Sequence, residues 1–123
     1  MIPILMEDWV TVRGNSVTVV QDVSKWLNTG PYQDIFFSVD VREVSGGTTF
    51  YLDTAPARDE PLFQPMVGAA GFTPTVGLNF KAFRAADASI GVPVSHWTRW
   101  RVSFGSLLSD ITFRILVQGN RFC

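Results

Sequence analysis

Apolar and polar residues alternate with a period of two along most of the chain, which is the pattern of half-buried β-strands. Residues 34–44 show the alternation most clearly. The paired glycines Gly46 and Gly47 follow them and suit a tight turn, since glycine accepts positive φ angles. Residues 49–54 alternate again, so the pattern predicts a hairpin over 34–54. The apolar face of its first strand contains Ile35, Phe37, Val39 and Val41.

The same alternation predicts two further hairpins. One covers residues 9–20 with a turn at Gly14 and Asn15, and the other covers residues 96–118 with a turn that begins at Gly105. The inward positions of the predicted strands hold large aromatic side chains, which we expect to form the core. These side chains are Phe37, Phe50, Phe80, Trp100, Phe104 and Phe113.

Long loops separate the predicted hairpins. They cover residues 23–33, 55–76 and 84–95, and the prolines of the second loop limit any strand there to short or edge positions. Loops of this length fit the crossings between sheets that Greek-key topologies need. Seven to eight short strands predict an all-β fold, an antiparallel two-sheet sandwich that is jelly-roll-like. Residues 9–123 are expected to form this single β-sandwich domain.

The first eight residues include an apolar run from Ile2 to Met6. We predict that residues 1–8 form an N-terminal apolar arm that docks on a neighbouring subunit; the alternative is a first strand within their own sandwich. The run follows no basic residues and is much shorter than the roughly 18 apolar residues of a membrane span. We therefore expect synthesis in a cytoplasm and no membrane partner.

Composition and charge narrow the possible partners. The chain carries ten Lys plus Arg against eleven Asp plus Glu, and its net charge of −1 gives no basic field for nucleic acid. Because Cys123 and His96 are the single cysteine and histidine, an internal disulfide and a two-histidine metal site are excluded. Only 17% of residues are charged while 13% are aromatic, so we expect apolar surface that a partner subunit or a ligand covers.

Catalytic and metal-binding chemistry has little support in the sequence. Asp53, Asp59 and Glu60 offer oxygen ligands for Ca²⁺, but their spacing fits no EF-hand loop, and solvated loop carboxylates are the simpler interpretation. His96 follows Ser95, and neighbouring strand residues face opposite sides of a sheet, so the two do not form a base and nucleophile. We predict no catalytic residues, no metal site and no cofactor.

The segment from Trp97 to Arg101 is the most distinctive part of the chain. Trp97, Arg99 and Arg101 share one face of a predicted strand, where a ring beside guanidinium groups can stack on a sugar or anchor a protein interface. The alternative is structural: Trp97 packs under a loop, and the arginines pair across the sheet with acidic residues such as Asp40 or Glu43.

A sugar-binding face would make the chain a carbohydrate-binding β-sandwich module. Its stacking platform would be either the exposed strand face or the rings of the first long loop. The candidate ligand-binding residues of this alternative are Trp97, Arg99, Arg101, Trp26 and Tyr32.

The strand residues 97–104 and 111–117, joined by a short turn, resemble the closing hairpin of small β-sandwich virion proteins of tailed bacteriophages. Residues 34–54 extend the resemblance, although discoidin-like and carbohydrate-binding sandwiches close with comparable strands. The resemblance implies a non-enzymatic structural protein of the capsid decoration or accessory type. It implies the major capsid protein or other virion subunits as partners, a homo-oligomer such as a trimer, and a location on the capsid surface after synthesis in the host cytoplasm.

We expect apolar residues outside the core to contact such a particle. Four of them lie in the arm or directly after it, and three lie in the proline-rich loop, where a partner subunit can reach them. The predicted partner-binding residues are Ile2, Ile4, Leu5, Trp9, Phe63, Met66 and Phe72.

Overall fold

The computed structural model describes residues 4–45, 47–84, 96–105 and 108–121. Within these residues the chain forms nine β-strands and two single 3₁₀ turns, Val23–Lys25 and Glu60–Leu62. The strands are β1 (Ile4–Gly14), β2 (Thr18–Val20), β3 (Leu27–Asn28), β4 (Tyr32–Val44), β5 (Thr48–Ala55), β6 (Gln64–Phe72), β7 (Gly77–Arg84), β8 (Trp97–Phe104) and β9 (Ser109–Arg121).

Two antiparallel sheets pack as a sandwich, which confirms the predicted fold class. Sheet A has the strand order β1-β9-β4-β7, and sheet B has the order β2-β8-β5-β6. Strand β3 pairs with β8 on the same side as β2, so two short strands share one edge position. The strand count of nine, against the predicted seven to eight, reflects this divided edge. The first strand pairs with the last, and the strand order interleaves two Greek keys. This is the topology of a jelly roll.

The three predicted hairpins are wrong, because the two strands of each lie in different sheets. Strands β1, β4 and β9 belong to sheet A, whereas β2, β5 and β8 belong to sheet B. Their turns meet at one end of the sandwich, where Ser16 N donates to Gly105 O at 2.7 Å and Gly105 N donates to Gly47 O at 2.9 Å. Gly46 and Ser106 lie outside the described residues. Alternation marks a strand with one buried face, but it does not show whether the next strand pairs beside it or packs opposite it.

The core lies between the sheets and contains five of the six aromatic residues assigned to it. Phe113 is at its centre, with edge-to-face contacts to Phe50 at 5.1 Å and to Trp100 at 5.0 Å between ring centroids. The five buried aromatic residues are Phe37, Phe50, Trp100, Phe104 and Phe113. Phe80 is the exception, because 62% of its surface is exposed.

Strand β7 has its apolar face outside, which explains the error at Phe80. Phe80 and Leu78 lie opposite Ser38 and Asp40, on the outer face of sheet A. Two of the inner positions, Asn79 and Lys81, are polar. Asn79 donates from Nδ2 to the backbone oxygens of Val39, Thr75 and Gly77 at 2.9–3.2 Å. A slip of one residue would exchange the two faces of a strand, so these hydrogen bonds help to fix the observed register.

The predicted arm is wrong for residues 4–8, which form the first half of β1 and pair with β9. Met6 is buried in the core, and Glu7 beside it is also buried. Two adjacent buried residues break the alternation because β1 has register shifts between Leu5 and Glu7 and between Glu7 and Val10. This irregularity hides the strand from a period-two search. Ile2 lies outside the described residues.

Gly119 on β9 provides a local test of the packing. The ring of Tyr32 lies on its backbone, and a Cβ atom at Gly119 would approach Tyr32 Cδ1 to 2.4 Å. We expect Gly119→Ala to lower the free energy of unfolding by about 1–3 kcal/mol, as overpacking does. Urea unfolding would measure the change. Gly105→Ala is the control, because a Cβ atom there finds its nearest neighbour at 3.7 Å; equal losses in the two variants would contradict the prediction.

Candidate functional site

A buried carboxylate organises the outer face of sheet B. Asp53 on β5 lies directly opposite Arg99 on β8 and is only 2% exposed. Its Oδ2 accepts from Arg99 Nε at 3.4 Å and from Arg101 Nε at 2.9 Å, while Oδ1 accepts from Arg101 Nη2 at 3.3 Å. Two guanidinium groups therefore share one carboxylate that water hardly reaches.

Two loops cover the Arg99 side chain. Glu60, in the second 3₁₀ turn, accepts a hydrogen bond from Arg99 Nη1. The guanidinium carbon of Arg99 lies 4.3 Å from the ring centroid of Phe63 and 5.4 Å from that of Trp26. The two rings contact each other edge-to-face at 4.7 Å. Arg99 thus attaches both loops to sheet B through ion pairs and cation–π contacts.

The predicted shared face of Trp97, Arg99 and Arg101 is confirmed by their alternate pairing with β5. The predicted partners of the arginines are wrong, because Asp40 and Glu43 lie on β4 in the other sheet. Asp40 instead accepts from Arg114 Nε at 3.0 Å.

Of the three acidic residues that offered calcium ligands, Asp53 has a structural role, while Asp59 and Glu60 are exposed at the second 3₁₀ turn. Asp53 is neither a solvated loop residue nor a free ligand, since its carboxylate binds Arg99 and Arg101. Within the described part of the chain, no group of three His, Cys, Asp or Glu side chains is placed to hold a metal ion. The alternation of residues 49–53, which sets Asp53 on the polar face, was the sequence signal for this pairing.

The rings of both candidate sugar-stacking platforms contact other parts of the chain. Trp26 is engaged by Arg99 and Phe63, and Trp97 lies under the guanidinium group of Arg58 at 5.5 Å. Tyr32 belongs to sheet A and packs against Gly119 and the core. Most of these side chains are therefore occupied by contacts within the chain.

A second buried carboxylate, Glu7, links β1 to sheet B. Its Oε1 accepts from Trp100 Nε1 at 3.0 Å, and its Oε2 accepts from Lys25 Nζ at 3.1 Å. Gln21 supports this junction by donating from Nε2 to Met6 O at 3.2 Å. The junction lines a shallow cleft of about 290 Å³. Among the described residues, every buried side-chain nitrogen or oxygen atom has a hydrogen-bond partner, so these clusters act as structural links.

The outer face of sheet A is different, because each of its four strands carries at least one apolar side chain there. One row runs from Leu5 through Leu116 and Ser38 to Phe80, as the strand register requires. Leu5 and Phe80 at its two ends are 53% and 62% exposed. We define the apolar face as Leu5, Trp9, Phe36, Leu78, Phe80 and Leu116.

Trp9 is held on this face by two cations. The guanidinium carbons of Arg42 and Arg114 lie 4.5 Å and 4.9 Å from its ring centroid. These contacts fix the orientation of a ring that is still 38% exposed. Trp and Arg are the residue types most enriched at the energetic centres of protein interfaces.

The remaining predicted contact residues have mixed placements. Met66 is completely buried, so its prediction as a contact residue is wrong; β6 turns it into the core rather than leaving it on a loop. Phe63 and Phe72 are half-buried against Arg99 and Phe50, and Ile4 packs against the core. Leu5 and Trp9 are exposed on the apolar face. Sequence reasoning missed Phe36, Leu78 and Phe80.

Comparison with known proteins identified no relative. No family model, no curated protein and no solved structure matches the chain. In the parts of the chain that the structure describes, no helix has the length and apolar character to cross a membrane. The geometry of the described residues is therefore the basis for the functional argument.

Proposed function

We propose that the chain is a non-enzymatic structural protein that binds the surface of a bacteriophage-type capsid and reinforces it. The supporting observation is the apolar face, which leaves large apolar side chains in water on one side of a well-ordered sheet. Exposed patches of this kind mark protein interaction sites. The outer face of sheet B offers no equivalent, since its own loops and ion pairs cover much of it.

The proposed mechanism is passive association. Leu5 and Trp9, on the β1 side of the apolar face, would pack against the major capsid protein or another virion subunit. Apolar area buried in this way contributes roughly 25 cal/mol per Å² before the costs of association are deducted. Trp9 is already oriented by Arg42 and Arg114, so it loses less side-chain freedom when it binds.

The carbohydrate-binding alternative has less support. Its argument depended on free aromatic rings beside Arg99 and Arg101, and these guanidinium groups bind Asp53, Phe63 and Tyr51 instead. A glycan array with the wild-type protein would test it, and strong selective binding to one glycan class would favour it over the capsid proposal.

Co-sedimentation with empty capsids tests the proposed function. The capsids would be empty heads assembled from the purified major capsid protein of a tailed bacteriophage. We expect the wild-type chain to sediment with them, and Leu5→Glu to lose at least about 30-fold in affinity, as for an interface hot spot. Residue 5 is preferable to a deletion of residues 1–6, because that deletion would also remove the buried Met6.

Leu62→Glu is the matched control for this experiment. Leu62 is also an exposed leucine, but it lies in the second 3₁₀ turn, away from the apolar face. Thermal melting would verify that both variants fold. A wild-type chain that stays in the supernatant would overturn the proposed function, and equal binding by Leu5→Glu and the wild type would place the contact elsewhere.

A further inference from the structure

The β7 side of the apolar face carries a second interaction surface, which we call the β7 patch and define as Phe36, Leu78 and Phe80. Phe80 lies about 14 Å from Leu5, since the row crosses four strands and therefore spans three spacings of about 4.8 Å. Leu78 is 60% exposed and Phe80 is 62% exposed. We propose that the β7 patch packs face to face on the same patch of a second copy of this chain, around a twofold axis beside Phe80.

The inverted polarity of residues 78–81 in β7 is the first support for an interface. An edge strand of a sandwich usually directs its apolar side chains inward and its polar ones outward. Here Asn79 and Lys81 occupy the inner positions opposite the buried Val39 and Phe37, while Leu78 and Phe80 are outside. The three hydrogen bonds of Asn79 specify this register, so the outward apolar side chains are a stable feature of the fold.

The same strand disfavours the other way in which two copies might join, by pairing edge to edge. Inward-pointing charged residues are a device that protects edge strands from such pairing. Lys81 is of this kind, because its Nζ lies 4.5 Å above the ring centroid of Phe72. Contact through the face of β7 is therefore favoured over extension of sheet A.

The charge and the apolar area of the β7 patch favour a second copy of this chain as its binding partner. A twofold axis brings each group near its own copy, so an unpaired charge in the patch would repel itself. Asp40, which lies directly opposite Leu78, is neutralised by Arg114. The exposed fractions of the three patch residues amount to about 300 Å² of apolar surface, given about 150–250 Å² for a large aromatic side chain.

This area is a substantial part of what a stable dimer needs. A standard interface buries about 800 Å² per partner, of which roughly 57% is apolar. Ser38 and Leu116 lie in the same rows and are half-buried, so they would extend the contact around Phe80. The net charge of −1 adds little repulsion between two copies.

Light scattering after size exclusion tests the dimer, at chain concentrations up to about 100 μM. We expect the wild-type chain to reach a mass of twice 13.7 kDa. Leu78→Glu should raise the dissociation constant at least about 30-fold, because it places two like charges at the axis. Phe80→Glu should do the same, and it serves as a second variant if the first does not fold.

Leu108→Glu is the matched control, since Leu108 is 75% exposed but precedes β9, outside the apolar face. This variant should remain dimeric. A wild-type chain that is monomeric at every concentration would overturn the dimer, as would Leu78→Glu and Phe80→Glu variants that dimerise like the wild type. The co-sedimentation experiment tests capsid binding separately, because its variant Leu5→Glu leaves the three residues of the β7 patch unchanged.

Discussion

Replacing Asp53 by alanine is expected to lower the free energy of unfolding by about 3–5 kcal/mol. The carboxylate is 2% exposed, and it is the shared partner of Arg99 and Arg101. Removal of one partner from a buried ion pair leaves an uncompensated charge in a place that water hardly reaches. Arg99 cannot avoid this penalty easily, because Trp26 and Phe63 enclose its guanidinium group.

Glu60 is not expected to replace Asp53. Its side chain is 63% exposed and pairs with Arg99, so among the described residues Arg101 would lose the carboxylate of its ion pair. Solvent screens an exposed carboxylate, and such pairs contribute about 0–1 kcal/mol. The substitution should therefore loosen both loops that Arg99 attaches to sheet B, as well as lower global stability.

Asp40→Ala is the matched control for Asp53→Ala. Asp40 also pairs with an arginine on a neighbouring strand, but both side chains of the Asp40–Arg114 pair are partly exposed. We expect this substitution to cost about 1 kcal/mol or less. Urea unfolding followed by tryptophan fluorescence would measure both variants. Similar losses for the two aspartates would show that burial of Asp53 has no special energetic role.

The location of the Asp53 cluster was predictable, but its partners were not. Alternation correctly placed Arg99 and Arg101 on one face of β8 and Asp53 on the polar face of its own strand. A strand can pair only with strands of its own sheet. The local sequence pattern does not show to which sheet a strand belongs. The pairing of β5 with β8 joins residues 46 positions apart in sequence.

Alternation made the fold class predictable, because it identifies strands. It could not predict the hairpins, because it does not show which strands become neighbours. Short alternating strands separated by turns indicate an all-β sandwich or barrel, whatever their order. At Gly14, Gly47 and Gly105 the chain crosses from one sheet to the other, although the same residues suit a tight hairpin equally well. Only long-range packing distinguishes these two uses of a glycine turn.

The candidate site was predicted in part. Leu5 and Trp9 were selected as apolar residues near the N-terminus, and the structure exposes both on sheet A. Met66 was selected because prolines surround it, but β6 carries it into the core. Proline content indicates a poor central strand, and an edge strand such as β6 can still bury every second side chain.

Phe113→Ala should lower the free energy of unfolding much more than Phe80→Ala, although the sequence assigns both rings to the core. Phe113 is fully buried and contacts Phe50 and Trp100, so its truncation should cost about 3–5 kcal/mol. Phe80 is mostly exposed in the isolated chain, and its truncation should cost about 0.5 kcal/mol or less. The difference depends entirely on the register that Asn79 imposes on β7.

Urea unfolding would measure both variants at about 1 μM chain, because dimer formation at higher concentration adds its own stabilisation. At that dilution a large loss for Phe80→Ala would mean that the ring is buried within a single chain, and that β7 has the opposite register. Adding Asn79→Ala then tests the cause. If its side-chain hydrogen bonds hold Phe80 outward, Asn79→Ala should destabilise the chain more than Phe80→Ala does, because the backbone oxygens of Val39, Thr75 and Gly77 lose their side-chain donor.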